Sequence, residues 1–219
     1  MKFLYRISIY FFLLAISFSA TAQNSKPQNK ETIIEITTDL GVMKARLYNN
    51  TPLHKENFIN LIKKGFYDSL LFHRVISGFM IQGGDPTSKN ADSTAMLGSG
   101  DAPELPTVPA EFRKKLIHKK GALAAARDNN PEKKSSNCQF YIVHGKKTDT
   151  AQLNPENSYT KEQKEIYQRI GGTPRLDQNY TVFGEVFAGM DVIDKIATSP
   201  TSSMDRPKQN VRMKIKIIN

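Results

Sequence analysis

The sequence FHRVISGFMIQGGDPT, at residues 72–87, determines how the rest of the chain is interpreted. Apolar and polar residues alternate in its first part, which predicts a short strand with Phe72 and Arg74 on one face and His73 on the other. A Ser-Gly pair interrupts this strand, and a second short apolar run follows. We therefore expect two paired strands joined by a turn.

Pairing of these two strands would place Arg74 beside Phe79, Met80 and Gln82, so that a guanidinium and an amide lie at the edge of an apolar surface. This arrangement suits a neutral, apolar group that has a carbonyl beside it. It offers no nucleophile and no cluster of metal ligands. The sequence also contains no G-x-S-x-G elbow, phosphate loop or Rossmann fingerprint, so we expect no cofactor and no metal.

The chain of 219 residues carries a formal net charge of +10 and is 39% hydrophobic, which predicts one globular domain. Its basic residues are scattered rather than interleaved with aromatic residues, so we expect the charge to favour solubility and expect no nucleic-acid partner. The single cysteine, Cys138, excludes an intramolecular disulfide. It lies in an apolar stretch, and we expect it to pack inside a strand.

The first 22 residues have the pattern of a secretory signal peptide. Lys2 and Arg6 precede a mostly apolar run, and a small-residue A-x-A motif ends at Ala22. A membrane anchor is the alternative, but the apolar run is short for a bilayer span and the motif favours cleavage. We expect residues 1–22 to be removed and residues 23–31 to form a flexible tether. The mature protein would then be exported, to the periplasm or as a secreted protein, without stable membrane insertion.

The rest of the chain, residues 32–219, reads as short antiparallel strands with few helices. In addition to the two strands within 72–87, the predicted strands are 32–38, 42–48, 121–127, 139–143, 180–187 and 211–217. The predicted helices are one that Thr51 and Pro52 begin, one at 161–170 and one at 190–197. These elements predict a mainly β fold: a closed eight-stranded antiparallel barrel, two main helices capping its ends, and one extra helix in an insertion at 146–172.

Four motifs together resemble the cyclophilin family of peptidyl-prolyl cis-trans isomerases, and the resemblance covers roughly residues 32–218. It implies an eight-stranded barrel capped by two helices, in agreement with the elements above. The motifs are FHRVISGFMIQGGDPT at 72–87, GALAAAR at 121–127, CQFYIV at 138–143 and LDQNYTVFGEV at 176–186.

The resemblance implies a role for each matching residue. Arg74 matches the family's catalytic arginine, Phe79 lines the proline pocket beside it, and Gln82 matches the glutamine that hydrogen-bonds the substrate backbone; these three form the predicted catalytic set. The substrate-binding residues that the resemblance implies are Met80, Ala126, Gln139, Tyr141, Leu176 and Tyr180.

Two positions depart from the family's pattern. Arg175 stands where the family has a tryptophan that contributes to cyclosporin binding, so we expect weak binding of that drug. Tyr180 stands where the family has a histidine, and because tyrosine is also aromatic we expect activity to survive. At Tyr141 the family more often has phenylalanine.

The resemblance implies an isomerase that rotates X-Pro bonds in unfolded or flexible polypeptides. With the signal peptide, it leads us to expect a monomer that assists the folding of exported proteins. A peptide-binding, chaperone-like module with little or no turnover is the alternative. Arg175, Tyr180 and the 146–172 insertion motivate that alternative. We expect His54 to be a surface or staple residue, His118 to be structural or exposed, and His73 to be a core or hydrogen-bonding residue rather than a catalytic one.

Overall fold

The computed structural model describes residues 30–219. The predicted signal peptide at 1–22 and most of the predicted tether at 23–31 lie outside the described residues, and their roles stay predictions. None of the helices in the described part has the length and apolar character that crossing a bilayer requires.

One antiparallel sheet of eight strands dominates residues 30–219, with the strand order β3-β4-β6-β5-β7-β2-β1-β8. Each predicted strand is present within two residues of its expected bounds. The strands are β1 (Thr32–Thr38), β2 (Gly41–Leu47), β3 (Phe72–Ile76), β4 (Met80–Gly83), β5 (Ala122–Ala125), β6 (Phe140–Val143), β7 (Val182–Ala188) and β8 (Met213–Ile217).

The sheet curls so that its edge strands, β3 and β8, approach each other. Between them the described residues form one isolated bridge, Leu71 with Arg212, and a few backbone hydrogen bonds, such as that from Met213 N–H to the Leu70 carbonyl at 2.8 Å. The predicted eight antiparallel strands are confirmed. The predicted closed barrel is not shown, because no continuous ladder joins the two edge strands in this part of the chain.

Three α-helices accompany the sheet within the described residues: α1 (Pro52–Lys63), α2 (Lys161–Arg169) and α3 (Met190–Ala197). Thr51 precedes α1 as predicted, but its side chain makes no capping hydrogen bond. Instead the Glu111 carboxylate accepts the backbone N–H groups of Leu53 and His54, at 3.3 and 3.0 Å. The sequence could not show this cap, because its acceptor comes from a distant loop.

The expectation that His54 lies at the surface is wrong, and the alternative of a staple position remains. The ring is buried, with Nδ1 2.7 Å from a Glu111 oxygen and Nε2 3.0 Å from the Ser135 hydroxyl. These two partners satisfy both ring nitrogens, which makes burial of the polar ring possible. Burial also lowers the pKa of His54 below its usual value, although Glu111 opposes that shift.

The main core lies between the inner face of the sheet and two of the helices, and α1 and α3 both contribute to it. Its members include Ile34, Met43, Leu47, Phe58, Leu61, Phe140, Phe183, Ile193 and Ile196. Cys138 packs in this core, but it lies two residues before β6 and not inside a strand as predicted; burial raises the pKa of its thiol to about 12. The thiol therefore stays protonated at neutral pH, which suits a packing role.

A β-bulge changes which face of the sheet the residues of the 72–87 stretch occupy. The pairing of β3 with β4 shifts between Phe72 and Arg74, so His73 is the extra residue. Phe72 consequently packs in the main core, whereas Arg74 lies on the opposite face with 44% of its side chain exposed. The prediction that Phe72 and Arg74 share a face is therefore wrong, because simple alternation does not allow for the bulge.

The segment 146–172 leaves the sheet after β6 and returns at its starting point. At its base, Lys146 N–H donates to the Gly172 carbonyl at 3.3 Å and Gly172 N–H donates to the Lys146 carbonyl at 2.9 Å. Its helix α2 begins with the predicted capping box of Thr160 and Gln163. Tyr167 of α2 packs with Ile117 and Leu153 in a small apolar cluster of its own, so this helix does not fill the main core.

Candidate active site

Five side chains from neighbouring strands form a row across the outer face of the sheet. Arg74 of β3 pairs with Gln82 of β4, which pairs in turn with Tyr141 of β6. Tyr141 pairs with Ala124 of β5, which pairs with Val182 of β7. Because paired residues point to the same face of a sheet, this row places a guanidinium, an amide and a phenol side by side.

The same face carries an apolar cluster that is separate from the main core. It brings together six predicted site residues from distant parts of the chain. The buried members are Met80, Ala126, Tyr141 and Leu176, and the partly buried members are Phe79 and Tyr180. These six residues define the candidate proline pocket, with the buried members as its floor and the two partly buried rings as its rim.

Arg74 lies beside this pocket with its side chain accessible to solvent. Its charged partner among the described residues is Asp205, whose carboxylate lies 3.6 Å from Nε. The Asp205 carbonyl accepts the backbone N–H of Val75 at 2.8 Å, which holds the loop against β3. Sequence analysis missed Asp205, because it lies in a loop that no motif connects with β3.

The amide of Gln82 lies against a second predicted residue, Gln139. Gln82 Nε2 donates to Gln139 Oε1 at 3.1 Å, and Gln139 Nε2 lies 2.9 and 2.8 Å from the carbonyls of Gly98 and Gly100. With Ala126, these two amides line an open groove of about 400 Å³ next to the pocket. Three residues to which the resemblance assigns catalytic or substrate-binding roles, Gln82, Ala126 and Gln139, therefore line the same groove.

The loop at residues 88–109 is held against the site by Asp85. The Asp85 carboxylate accepts the backbone N–H groups of Gly98 at 2.5 Å and of Thr87 at 2.8 Å. Burial alone would raise the pKa of Asp85, but hydrogen bonds from Thr87, Gly98 and Gly100 outweigh it and hold the pKa below its usual value. The ionised carboxylate thus fixes one side of the groove.

Comparison with known proteins identifies the family. Residues 33–217 match the family model described as "Cyclophilin type peptidyl-prolyl cis-trans isomerase/CLD". The chain belongs to this cyclophilin-type family of isomerases. Two relatives, from Staphylococcus epidermidis and Staphylococcus haemolyticus, have names that assign them to the peptidyl-prolyl cis-trans isomerases. They are 32% and 31% identical over 191 residues, which cover 86% of this chain and 92% and 91% of theirs.

Solved structures show the same fold. The crystal structure of a cyclophilin type peptidyl-prolyl cis-trans isomerase from Cryptosporidium parvum has a TM-score of 0.67 at 22% identity, covering 87% of this chain and 99% of that one. A structure of the same parasite protein in the presence of the dipeptide Ala-Pro gives a TM-score of 0.65 at 22% identity, covering 85% and 99%. The curled eight-stranded sheet is thus the cyclophilin fold.

Two further arginines give the rim of this cyclophilin pocket a positive charge. The guanidinium of Arg175 lies over the Phe79 ring at 4.4 Å from its centroid, and that of Arg127 lies over the Tyr180 ring at 4.7 Å. Such stacking holds a cation against an aromatic face. Arg175 stands where the resemblance implies a tryptophan. It therefore covers the Phe79 ring with a positive charge, where a tryptophan would offer a second aromatic ring.

A buried hydrogen-bond chain supports the floor of the pocket from behind. The hydroxyl of Tyr141 lies 2.9 Å from His118 Nε2, and His118 Nδ1 lies 2.7 Å from Asp177 Oδ1. His118 is fully buried, so of the two expected positions, structural or exposed, the structural one is confirmed. Sequence analysis missed its link to the pocket, because His118 and Asp177 are 59 residues apart and match no spacing motif.

His73, the bulge residue next to Arg74, is also buried, at 3% exposure. Neither of its ring nitrogens has a hydrogen-bond partner among the described residues. Burial lowers the pKa of His73 to about 4, with a smaller opposing contribution from Asp85. The ring is therefore neutral at neutral pH. The expected core position of His73 is confirmed, and its lack of a catalytic role stays a prediction.

Proposed function

We propose that this cyclophilin catalyses rotation about X-Pro peptide bonds in unfolded or flexible segments of exported proteins. The observation that carries this proposal is the row in which Arg74 and Gln82 border the apolar pocket of Met80, Tyr141 and Leu176. The pocket offers an apolar floor for a pyrrolidine ring. The row offers donors for the carbonyl and the nitrogen on either side of it.

The chemistry requires no covalent step. Amide resonance sets a barrier of about 18–20 kcal/mol to rotation, and uncatalysed exchange takes roughly tens to hundreds of seconds. In the twisted state the proline nitrogen regains a lone pair, which a guanidinium stabilises more strongly than it stabilises the planar amide. Since only differential stabilisation accelerates a reaction, Arg74 at the pocket edge can lower the barrier.

The other residues would hold the substrate during rotation. Phe79 and Tyr180 at the rim would keep the pyrrolidine ring on the floor, while Gln82 and Gln139 bind the peptide backbone along the groove. Arginine suits the catalytic position because its guanidinium stays charged and its donors form a rigid fork.

The proposal also covers location and partners. The N-terminal pattern ending at Ala22 supports export, to the periplasm or beyond, where unfolded polypeptides are the substrates. We propose that the protein is a monomer. We also propose that it has no nucleic-acid partner, since the basic residues of the sequence are scattered. N-terminal sequencing of the mature protein starting at Gln23 would support export, and an intact Met1 would oppose it.

The test is an isomerase assay on an X-Pro peptide, by NMR exchange or coupled proteolysis, with the native chain and Arg74→Ala. We expect the substitution to lower kcat/KM on the order of 100-fold or more, the size of effect seen when one transition-state donor is removed. Arg113→Ala is the matched control, because Arg113 is 45% exposed and has a similarly weak ion pair, with Glu111 at 3.9 Å. Equal inactivity of the native chain and Arg74→Ala would end the proposal.

A peptide-binding module with little turnover is the second candidate. The ion pair between Arg74 and Asp205 favours it, because Asp205 offers the guanidinium a partner other than the substrate. This candidate predicts that Pro-peptide binding survives Arg74→Ala while isomerisation by the native chain stays at background. Turnover by the native chain well above background would exclude it as the main role.

A further inference from the structure

The 146–172 segment is connected to the proline pocket by a continuous chain of buried hydrogen bonds. Tyr159 and Tyr167 of the segment point their hydroxyls at the same carboxylate oxygen, Asp177 Oδ2, at 2.7 and 2.5 Å. The other oxygen of Asp177 lies 2.7 Å from His118 Nδ1. His118 then meets the hydroxyl of Tyr141, which forms part of the pocket floor, at 2.9 Å.

The direction of each hydrogen bond follows from the number of donors around Asp177. Its carboxylate also accepts the backbone N–H of His118 at 2.8 Å, so four donors converge on two oxygens. Burial raises the pKa of Tyr159 and of Tyr167, and the nearby carboxylate of Asp177 raises both further. Both phenols therefore keep their protons and donate them.

This arrangement fixes the tautomer of the imidazole. An ionised carboxylate only accepts hydrogen bonds, so His118 Nδ1 carries the proton that it donates to Asp177. In the neutral ring Nε2 is then the acceptor, and the hydroxyl of Tyr141 donates to it. A buried phenol at this position needs such a partner, whereas the phenylalanine that is more usual in the family would need none.

We propose that Tyr159 and Tyr167 are positioning residues for the proline site, which act through Asp177 and His118 to hold the ring of Tyr141 in the pocket floor. The inference rests on the proposed isomerase function and deepens it. It gives the 146–172 segment a role: its closed base and its capped helix α2 present two tyrosines to a carboxylate behind the pocket.

A purely structural role for these tyrosines is the competing explanation, and a double-mutant cycle separates the two. The variants are Tyr167→Phe, Tyr141→Phe and the double variant. Tyr167→Phe should lower kcat/KM on the order of threefold to tenfold in the native background and less than about twofold in the Tyr141→Phe background.

Tyr67→Phe is the matched control, because Tyr67 is equally buried and donates to the Cys138 carbonyl at 3.1 Å within the main core. It should lower stability without changing kcat/KM. Tyr159→Phe, which removes the second donor from the same oxygen, replaces Tyr167→Phe in the cycle if that variant fails to fold. An equal loss of kcat/KM in both backgrounds, or no loss in either, overturns the inference.

A readout that does not depend on activity is the ¹⁵N chemical shift of the His118 ring. The inference requires a neutral ring with its proton on Nδ1 at neutral pH, and a ring protonated on Nε2 overturns it. If the native chain shows no turnover, the proposed function fails on its own. The same cycle is then measured from the Kd of an X-Pro peptide, where coupling between Tyr167 and Tyr141 supports the inference and independence overturns it.

Discussion

The two walls of the proline pocket are held in place by different means. The first wall, β3 and β4 with Arg74 and Gln82, is positioned by the backbone ladder that joins these strands to β6. The second wall, with Tyr141 of β6 and Leu176, has a side-chain support in addition, because buried hydrogen bonds link Tyr141 to His118 and Asp177. The backbone ladder supports Gln82 and Tyr141 alike, whereas only the second wall also depends on a few individual buried polar groups.

The first wall contributes chemical groups to the site, whereas the second wall contributes the shape of the pocket. The first wall presents a charge that is half exposed and has one ion pair, at 3.6 Å, so its position tolerates changes in neighbouring side chains. The second wall presents an apolar surface whose support is completely buried, where each lost partner leaves another polar group unsatisfied. We therefore expect substitutions behind the second wall to have large effects on stability, and those beside the first wall to have small ones.

The largest such effect is expected for Asp177→Asn. The amide would present N–H groups to donors that now bind a carboxylate, so we expect a loss of about 3–5 kcal/mol in the free energy of unfolding, measured with urea. Asp191→Asn is the control, because Asp191 pairs with Lys195 on the surface and both are more than half exposed. It should leave stability nearly unchanged. If both variants unfold alike, the contrast between the two walls is wrong.

A smaller effect, which depends on pH, is expected in the first wall at His73. Burial depresses the pKa of His73 to about 4. Between pH 6.5 and 4 the unfolded chain therefore binds a proton at this ring that the folded chain does not bind. The contribution of the neutral His73 ring to the free energy of unfolding is complete above pH 6.5 and is lost as the pH falls towards 4. Between pH 7.5 and 5 this group alone should lower the free energy of unfolding by about 2 kcal/mol.

His73→Leu tests this contribution. His54 and His144 have pKa values lowered by burial and shift stability in the same direction, so only the difference between the native chain and the variant isolates His73. At pH 7.5 the variant should be about as stable as the native chain, since the ring nitrogens have no partner in the described part of the chain to lose. At pH 5 it should be more stable. Superimposable pH profiles would contradict the prediction.

The same contrast explains what the sequence could predict. The first wall was predicted because its residues follow one another in one motif, and alternation failed only at the bulge that turns Phe72 into the core. For the second wall, Tyr141 and Leu176 followed from resemblance, but the support behind them did not. No local pattern connects His118 with Asp177, since only the fold brings such distant polar residues together.

Arg175 is the point where the second wall departs from the family, and the smallest predicted effect concerns it. Its guanidinium covers Phe79 at the rim, where an indole would add an apolar surface. Arg175→Trp should strengthen cyclosporin binding on the order of tenfold, about 1.4 kcal/mol, in a calorimetric titration. Arg175→Gln removes the charge without adding a ring and should not strengthen it. Equal gains in both variants would contradict this prediction, because removal of the charge alone would then account for the change.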